Sequence, residues 1–294
     1  MAQNRFKMAV TLKQKISIKP LGKHTGAEVI GLDLRQPIDD ETKKELNAAI
    51  VQWCCLVFSE QNLSPEQYLD AVSIFGEPVE QNYSAYHLDG NPLINTVSNH
   101  HPGKDGEEKA YHATYWHTDF PDRELPPSFS ALYSLKLPDS GGETGVVNMR
   151  AAFEALPQDF KDKIDNRKAY TVRRASKVSD IAVKHIKDED EKFLAIKLMQ
   201  PLVRTHPVNG SRAIYFHQGK VETIEGYTTE ESRALVQEIL ETAIKPEFVY
   251  KHPWKVGDMM IWDNRATMHR GYPNFDLEQH RLLYRVIAGN EKAF

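Results

Sequence analysis

The sequence predicts a mainly β fold with flanking helices. Short β-type runs outnumber helix-patterned segments and cluster after residue 110, while two well-capped helix patterns lie before residue 80. Strands do not alternate regularly with helices, so a βαβ sheet is not expected. Neither GxGxxG nor GK[ST] occurs, which disfavours dinucleotide and P-loop enzymes. The pattern fits one β-sandwich or barrel with helices packed outside.

The elements follow in order. Residues 1–15 read as a loose arm, and 16–18 and 28–32 as short strands separated by Gly22 and Gly26. A helix is predicted at about 41–53, capped by Asp39 or Asp40, with Leu46, Ile50 and Trp53 on one face. The apolar run 54–58 is a strand. Ser64-Pro65-Glu66-Gln67 is a capping box with proline at the first helical position. Leu69, Val72 and Phe75 form that helix's stripe, and Gly76 stops it. Residues 126–137 form a strand with Phe129, Ala131 and Tyr133 on one face, followed by a turn at 138–142. A strand at 145–148 and a helix at 150–156 come next. Residues 176–198 are crowded with charge, and a lid insertion is expected over about 165–200. Asn209-Gly210 marks a hairpin between 201–206 and 211–216. Thr228-Thr229-Glu230-Glu231 starts a helix with Leu235, Ile239 and Ala243 inward. Strands at 248–252, 258–262 and 281–288 complete the chain, read as a single domain over 1–294.

Composition narrows the function. A formal charge of −4 gives no basic footprint for nucleic acid. No apolar run reaches the roughly 18 residues of a membrane span. The N-terminus lacks an apolar secretory segment. The only cysteines are the neighbours Cys54 and Cys55, so a reducing, cytoplasmic setting is expected.

The chemistry concentrates in Trp116-His117-Thr118-Asp119 and the distant His269. On a strand, residues two apart share a face, so His117 and Asp119 can point together. A second imidazole from His269 would give two nitrogens and one oxygen on one side of a metal. That donor set suits a borderline divalent ion and leaves positions open, as in non-haem Fe(II) oxygenases. Zinc hydrolysis uses similar ligands, so spacing alone leaves both open. Twelve histidines also make an accidental H-x-D pair with a distant His easy to find.

Further motifs point to a family. Gly141-Gly142-Glu143-Thr144, Trp262-Asp263-Asn264-Arg265-Ala266-Thr267-Met268-His269, and Arg281 with Arg285 follow the W-H-T-D in order. Together they resemble the taurine dioxygenase/2,4-dichlorophenoxyacetate dioxygenase (TauD/TfdA) family of Fe(II)- and 2-oxoglutarate-dependent oxygenases, from about Ile18 to Gly289. Residues 149–156 and 201–206 look like its phenoxyacetate branch. The resemblance implies a double-stranded β-helix, or jelly roll. It implies Fe(II) on His117, Asp119 and His269, with 2-oxoglutarate and O2 as co-substrates. It places Thr144 and Arg281 on the distal carboxylate of 2-oxoglutarate, where a planar guanidinium makes paired hydrogen bonds. Arg285 would meet a second anion: the primary substrate's, or the metal-bound end of 2-oxoglutarate.

The implied reaction hydroxylates a small anionic organic substrate, with C–O or C–S cleavage where the carbon bears oxygen or sulfur, and releases succinate and CO2. Desaturation or other oxidation of an amino-acid-type metabolite uses the same cofactors. Related halogenases lack the carboxylate, so Asp119 favours hydroxylation or related hydrogen abstraction. Pocket candidates carried from the resemblance are Asn82, Tyr83, Asn99, His100, Tyr111, His112, Tyr215 and Phe216, besides Arg285. The family commonly assembles as homodimers or homotetramers.

Overall fold

The structure is a computed structural model that describes residues 14–81, 84–103, 106–109, 113–172 and 197–294. Most of the arm expected at 1–15, the core of the lid expected at 165–200, and Asn82, Tyr83, Tyr111 and His112 lie outside these residues. The described flanks of the lid segment are strands, Lys168–Val172 and Lys197–Pro201, paired antiparallel.

The fold is a double-stranded β-helix. Its larger sheet has the strand order Ser17–Pro20, Ala27–Ile30, Cys55–Phe58, Met259–Asp263, Pro127–Lys136, Leu282–Asn290, Asn91–Ser98, His87–Leu88. Ala27–Ile30 pairs with Cys55–Phe58 in parallel, and Pro78–Val79 adds an antiparallel pair beside Leu282–Asn290. The facing sheet is Val249–His252, Thr144–Asn148, Thr267–Gly271.

Strand alternation sorts the core into layers. Leu56, Phe58, Phe129, Ala131, Tyr133, Met259 and Ile261 point outward and pack against the helices Asp40–Trp53 and Pro65–Ser73 through Leu46, Ile50, Tyr68 and Val72. Cys55, Val57, Leu132, Met260, Trp262 and Leu283 point inward and meet Val146 of the facing sheet. A third cluster joins the helix Thr229–Ala243 to Phe153, Ile214 and Met268 behind that facing sheet. Each such apolar side chain contributes about 1.5–3 kcal/mol on burial. The capping boxes at Ser64 and Thr228 form as the sequence predicts, and Asp39 caps the first helix.

Some elements differ from expectation. Cys54 is a left-handed helix cap with φ 64°, because Asp40–Trp53 runs straight into the next strand and the chain must reverse. The helix predicted at 150–156 is Met149–Glu154, drawn back by Asn148, whose side chain accepts from the Arg150 and Ala151 amides. Asn91–Ser98 and Thr267–Gly271 are strands that periodicity missed. His117-Thr118-Asp119 is not on a continuous strand. His117 makes isolated antiparallel bridges to His217 and His269, and Phe120 then turns at φ 46°.

Candidate metal and co-substrate site

The main chain brings the histidines together. His117 N donates to His269 O at 3.0 Å, and His269 N donates to His117 O at 2.8 Å. Their ring centroids lie 4.1 Å apart, and the Trp262 ring lies tilted 4.5 Å from that of His269. One ligand atom from each of His117, Asp119 and His269 lies within 4.8 Å of the others, and all three residues are buried. The bridge to His269 therefore brings the distant second imidazole against His117.

The protonation states suit a cation. The Tyr115 carbonyl can only accept, so His117 Nδ1, 2.8 Å away, carries the proton and Nε2 keeps its lone pair. Burial lowers the pKa of His117, and lowers that of His269 well below the usual range, with His117 adding to the shift at His269. Both rings are thus neutral near pH 7. Burial alone would raise the Asp119 pKa, but the Arg285 charge and the Ser130 hydrogen bond help hold it well below the usual carboxylate range. Two neutral imidazoles and one ionised carboxylate form a donor set for a borderline divalent metal.

The W-D-N-R segment divides between two networks. Trp262 Nε1 donates to Asn264 Oδ1 at 3.1 Å, and Asn264 Nδ2 donates to Ser130 Oγ at 2.8 Å. Ser130 Oγ donates to Asp119 Oδ2 at 2.6 Å, which fixes the carboxylate's rotation. Thr118 Oγ1 binds the Asn264 carbonyl at 3.0 Å. Asp263, by contrast, takes three bonds from Arg265, two from its guanidinium and one from its amide, and one contact from His206, and so braces the turn. Ser130 gave no signal in the sequence; it shows only through strand pairing.

Beside the triad lies a second polar cluster. Arg281 is 2% exposed, and its Nε donates to Gly142 O at 2.9 Å. Its Nη2 lies 3.5 Å from Thr144 Oγ1. Trp254 Nε1 also donates to Thr144 Oγ1, at 3.0 Å. That oxygen already accepts, so the threonine's own hydrogen is left to donate, as a ligand carboxylate requires. The glycine turn is explained by space: Gly142 has φ +71°, and a Cβ there would stand 3.1 Å from Arg281 Cδ and Nε.

Arg285 reaches the triad from the neighbouring strand, with Nη1 3.9 Å from Asp119 Oδ1. Lys220 Nζ and Arg285 Cζ lie 5.7 Å and 5.6 Å from the Phe120 ring centroid. Lys220 is paired with buried Asp122 at 2.7 Å.

The other pocket candidates behave differently. Asn99 spends its amide on structure, donating to Leu277 O and Gln279 O and accepting from Arg281 N at 2.7 Å. It therefore positions the Arg281 backbone. His100 stacks on His280 with centroids 4.5 Å apart and contacts Leu277 O. Phe216 packs in the cluster behind the facing sheet, and its carbonyl accepts from Thr118 N at 3.1 Å. Tyr215 packs against Arg204 at 4.9 Å. Sequence reasoning missed His217, whose ring lies 4.8 Å from His117. Its Nδ1 accepts from Gly219 N at 3.0 Å, and burial pushes its pKa well down. Gln81, which holds Arg285, and Trp254 were missed as well.

Known proteins share this arrangement of elements. The model of the family described as "Taurine catabolism dioxygenase TauD, TfdA family" matches residues 17–287. An alpha-ketoglutarate-dependent 2,4-dichlorophenoxyacetate dioxygenase of Burkholderia sp. (strain RASC) is 31% identical over 275 residues, covering 89% of this chain and 90% of that protein. An alpha-ketoglutarate-dependent sulfate ester dioxygenase of Pseudomonas putida is 28% identical, covering 94% of this chain and 90% of that protein. Among solved structures, a taurine dioxygenase from Burkholderia xenovorans superposes with TM-score 0.77 at 30% identity, covering 95% of this chain and 94% of that one. A structure described as AAD-2 in complex with Mn(II) and N-oxalylglycine gives TM-score 0.77 at 30% identity, covering 95% of this chain and all, 100%, of that one.

Proposed function

The chain belongs to the TauD, TfdA family and is an Fe(II)- and 2-oxoglutarate-dependent dioxygenase; from that premise we propose that His117, Asp119 and His269 hold its iron. Thr144 and Arg281 bind the distal carboxylate of 2-oxoglutarate, and Arg285 receives the anionic group of the primary substrate. The bound metal and co-substrate supply the oxidising chemistry. The chain's residues do the rest. Ser130 and Asn264 orient Asp119, Tyr115 fixes the His117 tautomer, and Asn99 and Gly142 aim Arg281. Trp262 and the inner apolar cluster border the triad and limit water on that side.

The observation that carries the reading is the pair of arginines four residues apart with different partners, one at Gly142 and Thr144 and the other at Asp119. Arg281 is buried against Gly142 and Thr144. Arg285 lies within 3.9 Å of Asp119 and keeps a partly open side chain. One site therefore offers two separate anion receptors, one for each organic acid of the reaction. A zinc hydrolase has no use for both. The relatives' named substrates, 2,4-dichlorophenoxyacetate and a sulfate ester, support a small organic anion here. Hydroxylation, with C–O or C–S cleavage where the target carbon bears the heteroatom, is the outcome proposed.

The whole chain is proposed to act as a single oxygenase domain, supported by the family match over 17–287. A cytoplasmic setting is supported by two free, buried cysteines. Assembly as a homodimer or homotetramer belongs to the same proposal and is read by sedimentation. The functional test is a succinate-release screen over small carboxylates, sulfonates and sulfate esters with Fe(II), 2-oxoglutarate and oxygen. Succinate release should require all three and disappear in His117→Ala; turnover that survives in that variant refutes the triad.

A further inference from the structure

Arg285 is held by Gln81 in a closed pair. Its Nε donates to Gln81 Oε1 at 2.8 Å, and Gln81 Nε2 donates back to the Arg285 carbonyl at 3.0 Å. Gln81 is 2% exposed, and its own carbonyl accepts from His87 Nε2 at 3.0 Å. The clamp fixes the guanidinium and commits its Nε, so ligand binding falls to the terminal nitrogens.

The side chain next to Arg285 is Asn95. The two residues are Cα partners across the antiparallel strands Asn91–Ser98 and Leu282–Asn290. Directly opposed residues stand on one face with Cβ atoms about 4.5–5.5 Å apart. On the other side Arg285 is partnered by Leu132, a member of the inward-pointing cluster. The row Leu132, Arg285, Asn95 therefore faces the interior that holds the triad. Asn95 is 2% exposed, and among the described residues its Oδ1 has no hydrogen-bond partner. Buried polar groups are rarely left unpaired, and one that is calls for a reason. Beside a guanidinium, which offers only donors, the oxygen is also the end of the amide that charge favours.

We propose that Asn95 determines specificity, forming with Arg285 a two-point receptor for a small hydroxylated anion. The anionic group lies on Arg285, and a substrate hydroxyl donates to Asn95 Oδ1. Adjacent strands are about 4.7–4.9 Å apart, so the hydroxyl belongs on one of the two carbons nearest the anionic group. The inference rests on the reading of Arg285 as the substrate's anion receptor. Charge selects a hydroxyl over an ammonium. Among the described residues, the buried carboxylates near Arg285 are Asp119, which belongs to the triad, and Asp122, which is paired with Lys220. An ammonium would be desolvated beside a guanidinium with only a neutral acceptor to meet it. A hydroxyl brings one donor to one acceptor.

The test uses full-length protein loaded with Mn(II) and 2-oxoglutarate and measures calorimetric Kd values for butanoate, 2-hydroxybutanoate, 3-hydroxybutanoate and 2-aminobutanoate. At least one hydroxy acid should bind about tenfold more tightly than butanoate, the size of effect one satisfied buried acceptor gives. The amino acid should not share the gain. Asn95→Leu keeps the volume and removes the acceptor; it should erase the difference between the hydroxy acids and butanoate. Its melting temperature should equal or exceed wild type, because a buried oxygen without a partner is gone; a clear drop would assign Asn95 a structural role instead. Equal binding of all four acids, no binding by either hydroxy acid, or a preference that persists in Asn95→Leu would overturn the proposal. Arg285→Gln separates the two levels. If it weakens every anion while the hydroxyl makes no difference, only the Asn95 inference falls. If it weakens none, the reading of Arg285 falls with it.

Discussion

Replacing Ser130 with alanine tests whether the buried chain behind Asp119 holds the metal site in shape. Ser130 Oγ donates to Asp119 Oδ2 at 2.6 Å and accepts from Asn264 Nδ2 at 2.8 Å. Ser130 is fully buried, so no water replaces the hydroxyl without rearrangement. A hydrogen bond to an ionised group is worth about 1.5–3 kcal/mol. At about 1.4 kcal/mol per tenfold, that corresponds to metal binding weakened about 10- to 100-fold, the range found for residues behind metal ligands. The sign discriminates between mechanisms. If the hydroxyl only withdrew charge from the carboxylate, its removal would leave a better base and tighter binding. If it sets the carboxylate's rotation, binding weakens. The assay is an anaerobic Mn(II) or Fe(II) titration of metal-free protein, with thermal melting in parallel. Asn264 Nδ2 loses its acceptor too, so a loss of about 1–3 kcal/mol in stability is also expected. A metal Kd equal to or tighter than wild type in a folded Ser130→Ala protein would refute the positional role.

Three further outcomes follow from the site. Arg281→Met should raise the 2-oxoglutarate KM by more than about 30-fold, since unpairing a buried charge costs about 2–5 kcal/mol, while Arg285→Gln should chiefly affect the primary substrate; steady-state kinetics in each co-substrate checks this, and equal effects on one ligand contradict the division. Gly142→Ala should mimic a milder Arg281 lesion, because the added Cβ meets Arg281 at 3.1 Å and the residue sits at φ +71°; a 2-oxoglutarate KM unchanged from wild type would show that the turn does not aim Arg281. For pH, two ordinary imidazoles near pKa 6.5 would weaken metal binding about tenfold between pH 7.5 and 6.0 by proton competition. Burial lowers both His117 and His269, so metal affinity should stay nearly flat over that interval and fall only at lower pH. The same shift acts on metal-free stability. Below about pH 6.5 the unfolded chain takes up protons that the folded rings refuse, so stability declines as pH falls toward the lowered folded pKa values. A tenfold loss of metal affinity by pH 6.0 would contradict neutral buried rings.

The sequence by itself determined the chemistry. W-H-T-D, G-G-E-T, W-D-N-R-x-x-x-H and the two arginines are local strings, and each carries its reactive side chains within a few residues. Helix caps were equally legible, since Ser64 and Thr228 bond three residues ahead. Tertiary structure decided which residues serve those groups. Ser130 meets Asp119, Trp254 meets Thr144 and Gln81 meets Arg285 across 11, 110 and 204 positions of chain. Such pairings depend on sheet register, and register is fixed by how whole strands bury their apolar faces. For the same reason the bond that Asn99 Oδ1 accepts from the Arg281 amide, 182 positions along the chain, has no local signature. His117 meets His217 and His269 through isolated bridges, a closure that no local period encodes.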